Sequence, residues 1–277
     1  MAISWVAPRV VRQTRGVDLV GDLRRLGVAP GDVVMPHASL RAVGARAEAV
    51  IAALDEAVGP AGTLLMTIGA RDDWAWVNKR PGGERAALLA AADPFDAATT
   101  PSDPEIGVLA EVFRRTPGTV VSDHPEGRFG ARGARAAELI ADVPWDDYYG
   151  AGSPLARLVE WGGKVLRMGA DIDTVTLIHH AEYLATVPGK RRVCRMRRVR
   201  TAGGPVLRTV ECLDDSDGIV DYPGPDYFGV ILESYLATGA ARRGRVGNAP
   251  SELLDARAVV EFAAGWMTEH FAGENPS

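Results

Sequence analysis

A strand–helix–strand unit near the start of the chain is the feature that most limits its fold. A short apolar strand, Val33 to Met35, follows the turn at Pro30-Gly31, and residues 47–58 have helical periodicity. A second apolar run, residues 63–69, comes next. Strand, polar loop, helix and strand in this order are typical of parallel strand pairing. We therefore predict an α/β fold with a mainly parallel or mixed central sheet, flanked by helices, with a smaller lobe or lid.

The remaining segments predict further elements of the same fold. Predicted helices cover residues 17–27, 84–92, 106–115, 134–141, 154–160, 174–187, 226–238 and 251–271. Predicted strands open the segment 119–133, cover 163–170, and form an antiparallel pair within 190–213, whereas residues 242–251 are predicted to be a Gly/Arg-rich link. We predict one domain over residues 1–277. The irregular segment 70–104 is predicted to be a substrate lid, with a packed surface loop as the alternative.

The composition excludes several classes of protein. With 47% apolar residues the chain has too much apolar surface to remain disordered, yet no apolar run approaches the ~20 residues of a membrane span. The N-terminus lacks a secretion pattern, and Cys194 and Cys212 form neither a zinc ribbon nor a disulfide framework, so a cytoplasmic protein is expected. A net charge of −5 disfavours nucleic acid and is compatible with a cationic substrate.

Residues 169–185 (GADIDTVTLIHHAEYLA) are the most informative stretch for chemistry. His179 and Glu182 are three residues apart and share one face of the predicted helix, whereas His180 points about 100° away. Asp173 or Thr174 is expected to cap this helix. An imidazole beside a carboxylate is the minimum set for an oriented general base, and a partly buried structural histidine is the alternative.

Two other groups of residues are candidates for binding. The segment MPHASLRAVG (35–44) connects a strand to a helix, where backbone amides and Arg41 suit a phosphate group. Acidic residues in loops suit a polyamine if they surround one cleft, although many such residues are only solvated turns. These acidic residues are Asp72, Asp73, Asp96, Asp146, Asp147, Glu211, Asp214, Asp215 and Asp217.

Ordered blocks from residue 17 to about residue 271 resemble the aminoglycoside 3-N-acetyltransferase family. They include LGVAPGDVVMPHASLRAVG, GPAGTLLMTIG, DPFDAATT, the block from GVLAEVF to GARG, GSPLARLV, VLRMGADIDTVTLIHHAEYLA and RGRVGNA. The resemblance implies a non-GNAT α/β acetyltransferase with acetyl-CoA as co-substrate, no metal, and a cationic aminoglycoside acceptor linked to antibiotic resistance. A homodimer is left open.

The resemblance also implies roles for residues of this chain. The family pattern D-x-x-T-x-x-H-x-x-E falls on Asp173, Thr176, His179 and Glu182. It makes His179 the general base, and Glu182, Glu211 or Asp173 the carboxylate that orients the imidazole. Attack on the thioester creates an oxyanion, and the hydroxyl of Thr176 or a backbone amide is expected to donate to it. The residues expected on the coenzyme A side are His37, Ser39, Leu40, Arg41, Val43, Ser122, His124 and Ser153. The residues expected to hold substrate ammonium groups are Asp72, Asp96, Glu182, Glu211 and Asp214.

Departures from the family pattern leave the acceptor open. The segment VGARAEAVI at residues 43–51 lacks the family's Gly-Gly pair, Ala70 stands where Trp is common, and Arg128 replaces a serine. The alternatives are an acetyltransferase for another amine, a non-catalytic protein that sequesters aminoglycosides or coenzyme A, and a metal hydrolase.

Overall fold

The computed structural model describes residues 18–271, so Val17 of the first predicted helix lies outside the described residues. The α-helices of this range are α1 (Leu19–Leu26), α2 (Leu40–Val43), α3 (Ala47–Val58), α4 (Gly82–Leu89), α5 (Val108–Arg115), α6 (Ala136–Leu139), α7 (Pro154–Glu160), α8 (Ile178–Leu184), α9 (Tyr227–Ala237) and α10 (Ala256–His270). The strands are β1 (Val33–Ala38), β2 (Thr63–Thr67), β3 (Val120–Val121), β4 (Phe129–Gly133), β5 (Lys164–Met168), β6 (Arg192–Thr201), β7 (Gly204–Leu213), β8 (Arg242–Val246) and β9 (Ala249–Asp255).

Seven strands form a mixed sheet in the order β3-β4-β2-β1-β5-β9-β8. The pairings β1–β2 and β1–β5 are parallel, and the outer pairings are antiparallel. Each face of this sheet is covered by helices: α1, α3 and α5 pack in one apolar cluster, and α7 to α10 in the other. The predicted α/β class and mixed central sheet are confirmed.

Local signals set several boundaries where the sequence places them. Helix α3 covers residues 47–58 as predicted. Helix α7 begins at Pro154, and the Ser153 hydroxyl accepts a hydrogen bond from the N–H of Ala156. Gly27 ends α1 in the left-handed conformation, with φ of 113°.

Other predicted boundaries are wrong. Residues 242–251 form most of a β-hairpin, β8–β9, rather than a link, so the last helix begins at Ala256 instead of residue 251. His37 and Ala38 belong to β1, and the expected loop that follows is the short helix α2. Helix α8 begins at Ile178, so neither Asp173 nor Thr174 caps it; the Thr174 hydroxyl donates to the carbonyl of Asp171 instead.

A second, two-stranded sheet carries the segment 70–104. Strands β6 and β7 pair over ten positions, as the predicted hairpin requires. Phe95 forms a parallel bridge to Val199, and the Arg198 guanidinium donates to the carbonyls of Ala90 and Ala92. The segment therefore packs on β6. Its role as a lid, the single domain over residues 1–277 and the homodimer stay predictions.

Strands β1 and β2 separate toward their carboxyl ends. Their pairing is limited to Val33 with Thr63 and Val34 with Leu64. Pro36, which has no N–H to donate, lies in β1 beyond the last position that pairs with β2. The separation leaves a crevice at the carboxyl ends of the parallel strands, which is where α/β sheets bind their ligands. Within residues 18–271 no helix is both long and apolar enough to cross a membrane.

Candidate active site

His179 and Glu182 form a hydrogen-bonded pair on α8. The Nδ1 atom of His179 lies 2.8 Å from Oε2 of Glu182, as the i, i+3 spacing predicts. The hydroxyl of Tyr227 donates to the other carboxylate oxygen, Oε1, and accepts from the N–H of Ile219. Glu182 is only 1% exposed, so its negative charge depends on these two donors. The pair leaves the Nε2 atom of His179 for a ligand.

Aromatic rings hold the imidazole of His179 in place. Tyr149 stacks on it with ring centroids 5.1 Å apart and an angle of 11° between the planes. Phe228 meets it edge-on at 4.6 Å. Burial by itself lowers the pKa of His179, but the charge and hydrogen bond of Glu182 outweigh it, so the pKa is raised. The His179 side chain remains 19% exposed and lines two cavities, so it is reachable by a ligand.

His180 points away from the His179 face of α8, as its position in the sequence predicts. Its Nδ1 atom lies 2.8 Å from the carbonyl oxygen of Tyr149. Burial lowers the pKa of His180, which favours the neutral form. It is therefore a structural residue that supports Tyr149, the ring on which His179 stacks.

The cavity beside His179, here called the acidic cavity, has a volume of about 420 Å³. Six carboxylates line it, and none of the described residues that line it is a lysine or an arginine. These carboxylates are Asp173, Glu182, Asp214, Asp215, Asp217 and Asp226. Asp214 pairs with Arg191 and Asp215 with Arg195 from outside the cavity. Such a surface attracts cations strongly.

The structure decides which carboxylate orients the imidazole. Glu182 contacts His179 directly, whereas Asp173 is exposed at the wall of the acidic cavity. Glu211 lies on β7, is exposed, and pairs with Arg192, so it does not reach His179. Of the three candidates, only Glu182 has this contact. Among residues 18–271, no three or more His, Cys, Asp and Glu side chains are grouped so as to hold a metal ion.

The predicted substrate carboxylates are dispersed. Glu182 and Asp214 line the acidic cavity. Asp72 lines a second cavity of about 710 Å³ that also reaches His179, but its carboxylate pairs with Arg197. Asp96 pairs with Arg200 and accepts hydrogen bonds from its own loop. Asp96 and Glu211 line neither of these two cavities, and each is paired with an arginine.

Several residues predicted for the coenzyme A side lie at the β1–α2 connection. His37 lines a cavity of about 280 Å³ in the crevice between β1 and β2, here called the strand crevice. Arg41 is exposed and Leu40 is half-buried. The Ser39 hydroxyl accepts from the N–H of Ala42, and the side chain of Val43 is fully buried in the core. Val43 therefore presents no side chain to a ligand.

Ser122, His124 and Ser153 have structural roles in this fold. Each is buried. Ser122 accepts from the N–H of Phe129 across the β3–β4 turn, and Ser153 caps α7. His124 accepts from the N–H of Gly127 through Nδ1, so Nε2 carries the proton and donates to the carbonyl of Trp145. These side chains are buried with partners inside the protein, and their expected place on the cofactor side stays a prediction.

Three aromatic residues of the site were not predicted from the sequence. They are Tyr149, Tyr227 and Phe228, which lie in segments distant from α8. The signals were present as the PWDDYYG loop and as Asp226, which caps α9 just before the two rings. Nothing in the sequence indicated which face of α8 these rings would cover.

Comparison with known proteins decides the family. A family model described as aminoglycoside 3-N-acetyltransferase matches residues 35–268. The chain belongs to this family. Aminoglycoside N(3)-acetyltransferase VII of Streptomyces paromomycinus is 42% identical over 271 residues, covering 92% of each protein.

Two solved aminoglycoside acetyltransferase structures share the fold. AAC-IIIb in a binary complex with CoASH has a TM-score of 0.86 and 40% identity, over 93% of this chain and 97% of that one. AAC-VIa bound to sisomicin has a TM-score of 0.85 and 38% identity, over 92% of this chain and 97% of that one. The resemblance predicted from the sequence blocks is therefore confirmed.

Proposed function

We propose that this chain transfers an acetyl group from acetyl-CoA to the 3-amino group of an aminoglycoside. One observation carries the proposal: six carboxylates and no lysine or arginine line the cavity that faces His179, within the described residues. A polyamine is the ligand that such a cavity selects. Family membership and the CoASH and sisomicin complexes of similar proteins support the same donor and acceptor.

Three carboxylates of the acidic cavity are free for substrate ammonium groups. Asp173, Asp217 and Asp226 take part in no side-chain ion pair among residues 18–271, whereas Asp214 and Asp215 are paired with arginines. Because these three carboxylates are exposed, each contributes modestly, and their combined field steers and orients a polycation.

His179 is proposed as the general base. An amine must lose a proton before it attacks a thioester, and the acidic cavity stabilises its protonated form. With Nδ1–H donating to Glu182, the lone pair on Nε2 faces the acceptor side and takes that proton. The raised pKa of His179 makes it a stronger base than an ordinary histidine. The ring packing by Tyr149 and Phe228 keeps the lone pair oriented.

Direct transfer is proposed, without an acyl-enzyme. Acetyl-CoA supplies an activated acetyl thioester when bound. The new C–N bond forms as the C–S bond breaks, and coenzyme A leaves as a thiolate that takes up the proton His179 removed from the amine. Thr176 lines both the acidic cavity and the strand crevice, so its hydroxyl is the proposed donor to the carbonyl oxygen. Burial raises the pKa of the Cys212 thiol to about 12, which makes it a poor nucleophile. A cytoplasmic location, where coenzyme A is available, is part of the proposal.

A second acceptor class is favoured by one observation. Three carboxylates that the family resemblance assigns to the aminoglycoside, Asp72, Asp96 and Glu211, are each paired with an arginine of β6. Fewer free carboxylates suit an amine with fewer positive charges. An acetyltransferase for another amine is therefore the second candidate.

Mass spectrometry after incubation with acetyl-CoA tests the proposal. A panel of aminoglycosides and simple amines is expected to show a gain of one acetyl group on the aminoglycosides, located on the 3-amino nitrogen. Acetylation of simple amines alone supports the second candidate. Tight aminoglycoside binding without acetylated product contradicts both and supports a sequestering protein.

A further inference from the structure

The two cavities that meet at His179 differ in charge. The second cavity, of about 710 Å³ and here called the wide cavity, is lined by five lysine and arginine side chains, in contrast to the acidic cavity. These are Lys79, Arg85, Arg192, Arg195 and Arg197. Asp214, Asp215 and Asp217 line both cavities, so a multi-ring acceptor with its amine at His179 extends along both.

Three of the five cations are paired with carboxylates. The pairs are Arg192 with Asp147 and Glu211, Arg195 with Asp215, and Arg197 with Asp72 and Glu126. Each of these arginines therefore adds little net positive charge to the wall of the wide cavity.

Lys79 and Arg85 line the wide cavity without a carboxylate partner. Neither takes part in an ion pair among residues 18–271, and Lys79 is exposed. The guanidinium of Arg85 donates to the carbonyl of Arg80 at 2.8 Å and to that of Cys194 at 2.9 Å. These carbonyls fix the position of the guanidinium but do not cancel its charge. One wall of the wide cavity thus has two uncompensated positive charges.

Strand β6 holds this wall in place. Lys79 ends the short 3-10 helix Ala75–Lys79, and its neighbour Asn78 binds the backbone of Met196. Oδ1 of Asn78 accepts from the N–H of Met196 at 2.7 Å, and Nδ2 donates to the carbonyl. Arg85 is bound to the same strand. Because the backbone that carries both charges is anchored, a ligand in the wide cavity meets them.

The unpaired carboxylates of the wide cavity lie where it borders the other cavities. Asp217 also lines the acidic cavity, Glu105 also lines the strand crevice, and Asp103 accepts a hydrogen bond from the N–H of Glu105. An ammonium group is therefore attracted at these borders and repelled at the wall of Lys79 and Arg85. A repulsive charge contributes to specificity by excluding the wrong ligand.

We propose that Lys79 and Arg85 determine acceptor specificity by repelling ammonium groups from one side of the wide cavity. The proposal rests on the proposed aminoglycoside acceptor. The acceptors that are selected have ammonium groups on the rings in the acidic cavity and hydroxyl groups on the ring beside Lys79. Both residues act on the binding of the acceptor and take no part in the transfer itself.

Competition between matched acceptors tests the proposal. Each pair of aminoglycosides differs by one hydroxyl in place of one amine, as paromomycin and neomycin do, and the pairs place this difference on each ring in turn. With both members in one reaction, mass spectrometry gives the ratio of their kcat/KM values. For the pair that differs beside Lys79, Lys79→Gln is expected to shift this ratio about two- to fivefold toward the amine member. Lys79→Arg, which keeps the charge, is expected to keep the wild-type ratio.

Arg80→Gln is the matched control on the same segment. Arg80 follows Lys79, lies over the ring of Trp76, and lines neither cavity that reaches His179. It is expected to leave every ratio unchanged, and a shift equal to that of Lys79→Gln assigns the effect to net charge and overturns the proposal. In 1 M salt, where the Debye length is about 3 Å, the shift in Lys79→Gln is expected to shrink. A shift that persists there is not caused by charge and also overturns the proposal.

Arg85 is tested with the same pairs of acceptors. Arg85→Gln keeps a side-chain donor and is expected to shift the same pair in the same direction as Lys79→Gln. If the wild-type chain acetylates aminoglycosides and no pair changes its ratio in either variant, this inference fails alone. If the wild-type chain acetylates neither member of any pair, the proposed function fails as well.

Discussion

Replacement of Glu182 by Gln tests the assignment of the general base most directly. The carboxylate is buried and accepts from Nδ1 of His179 and from the hydroxyl of Tyr227. A hydrogen bond to a charged group contributes about 1.5–3 kcal/mol, and one pKa unit corresponds to about 1.4 kcal/mol. Loss of the charge is therefore expected to lower the pKa of His179.

The pH dependence of kcat/KM is the readout. The base acts in its neutral form, so activity falls as the pH drops through the pKa of His179. In the wild-type chain this acid limb lies above the value of an ordinary histidine, because the pKa is raised. Glu182→Gln is expected to move the limb to lower pH and to reduce the plateau about 10²- to 10³-fold. The reason is that His179 becomes a weaker base and its ring proton is no longer held on Nδ1 by a carboxylate.

A matched variant separates this effect from a general loss of charge. Glu261 lies on α10 and is exposed, so Glu261→Gln is expected to change neither the limb nor the plateau. An acid limb that stays in place in Glu182→Gln shows that another group titrates. That result refutes the assignment of His179 as the base.

Further perturbations test other parts of the structure. His179→Ala is expected to lower turnover about 10²- to 10⁴-fold, and near-normal turnover removes it from the mechanism. Tyr227→Phe leaves the N–H of Ile219 without a partner and is expected to cost about 1–3 kcal/mol in urea unfolding, with kcat/KM reduced about tenfold; an unchanged unfolding midpoint contradicts this. Arg128 is fully buried and donates to four carbonyls of the segments at 69 and 97–101, so Arg128→Met is expected to cost about 3 kcal/mol and to expose that segment to limited proteolysis; resistance equal to wild type contradicts it. Because the pKa of His37 falls from 6.5 to about 4 on folding, the unfolded chain binds the extra proton between these values. Stability is thus expected to fall by about 3 kcal/mol as the pH drops through that range, and an equal fall in His37→Asn assigns the loss to other groups.

Local signals account for the parts of the site that the sequence predicted. The His179–Glu182 contact follows from helix geometry alone, since residues three apart share a face wherever the helix packs. The Ser153–Pro154 start of α7 and the β6–β7 hairpin likewise depend on near neighbours in the chain. The family resemblance rested on such local blocks of sequence, and the family match confirmed it.

Tertiary packing decided everything that joins distant segments. Strand β8 (RRGRV) buries only Val246, so it shows no alternation in sequence and is held as a strand by its pairing with β9. Asp96 and Glu211 looked like substrate ligands until their arginine partners on β6 were placed beside them. The charge available to a ligand depends on which cation a carboxylate meets across the fold, and only the three-dimensional structure specifies that neighbour.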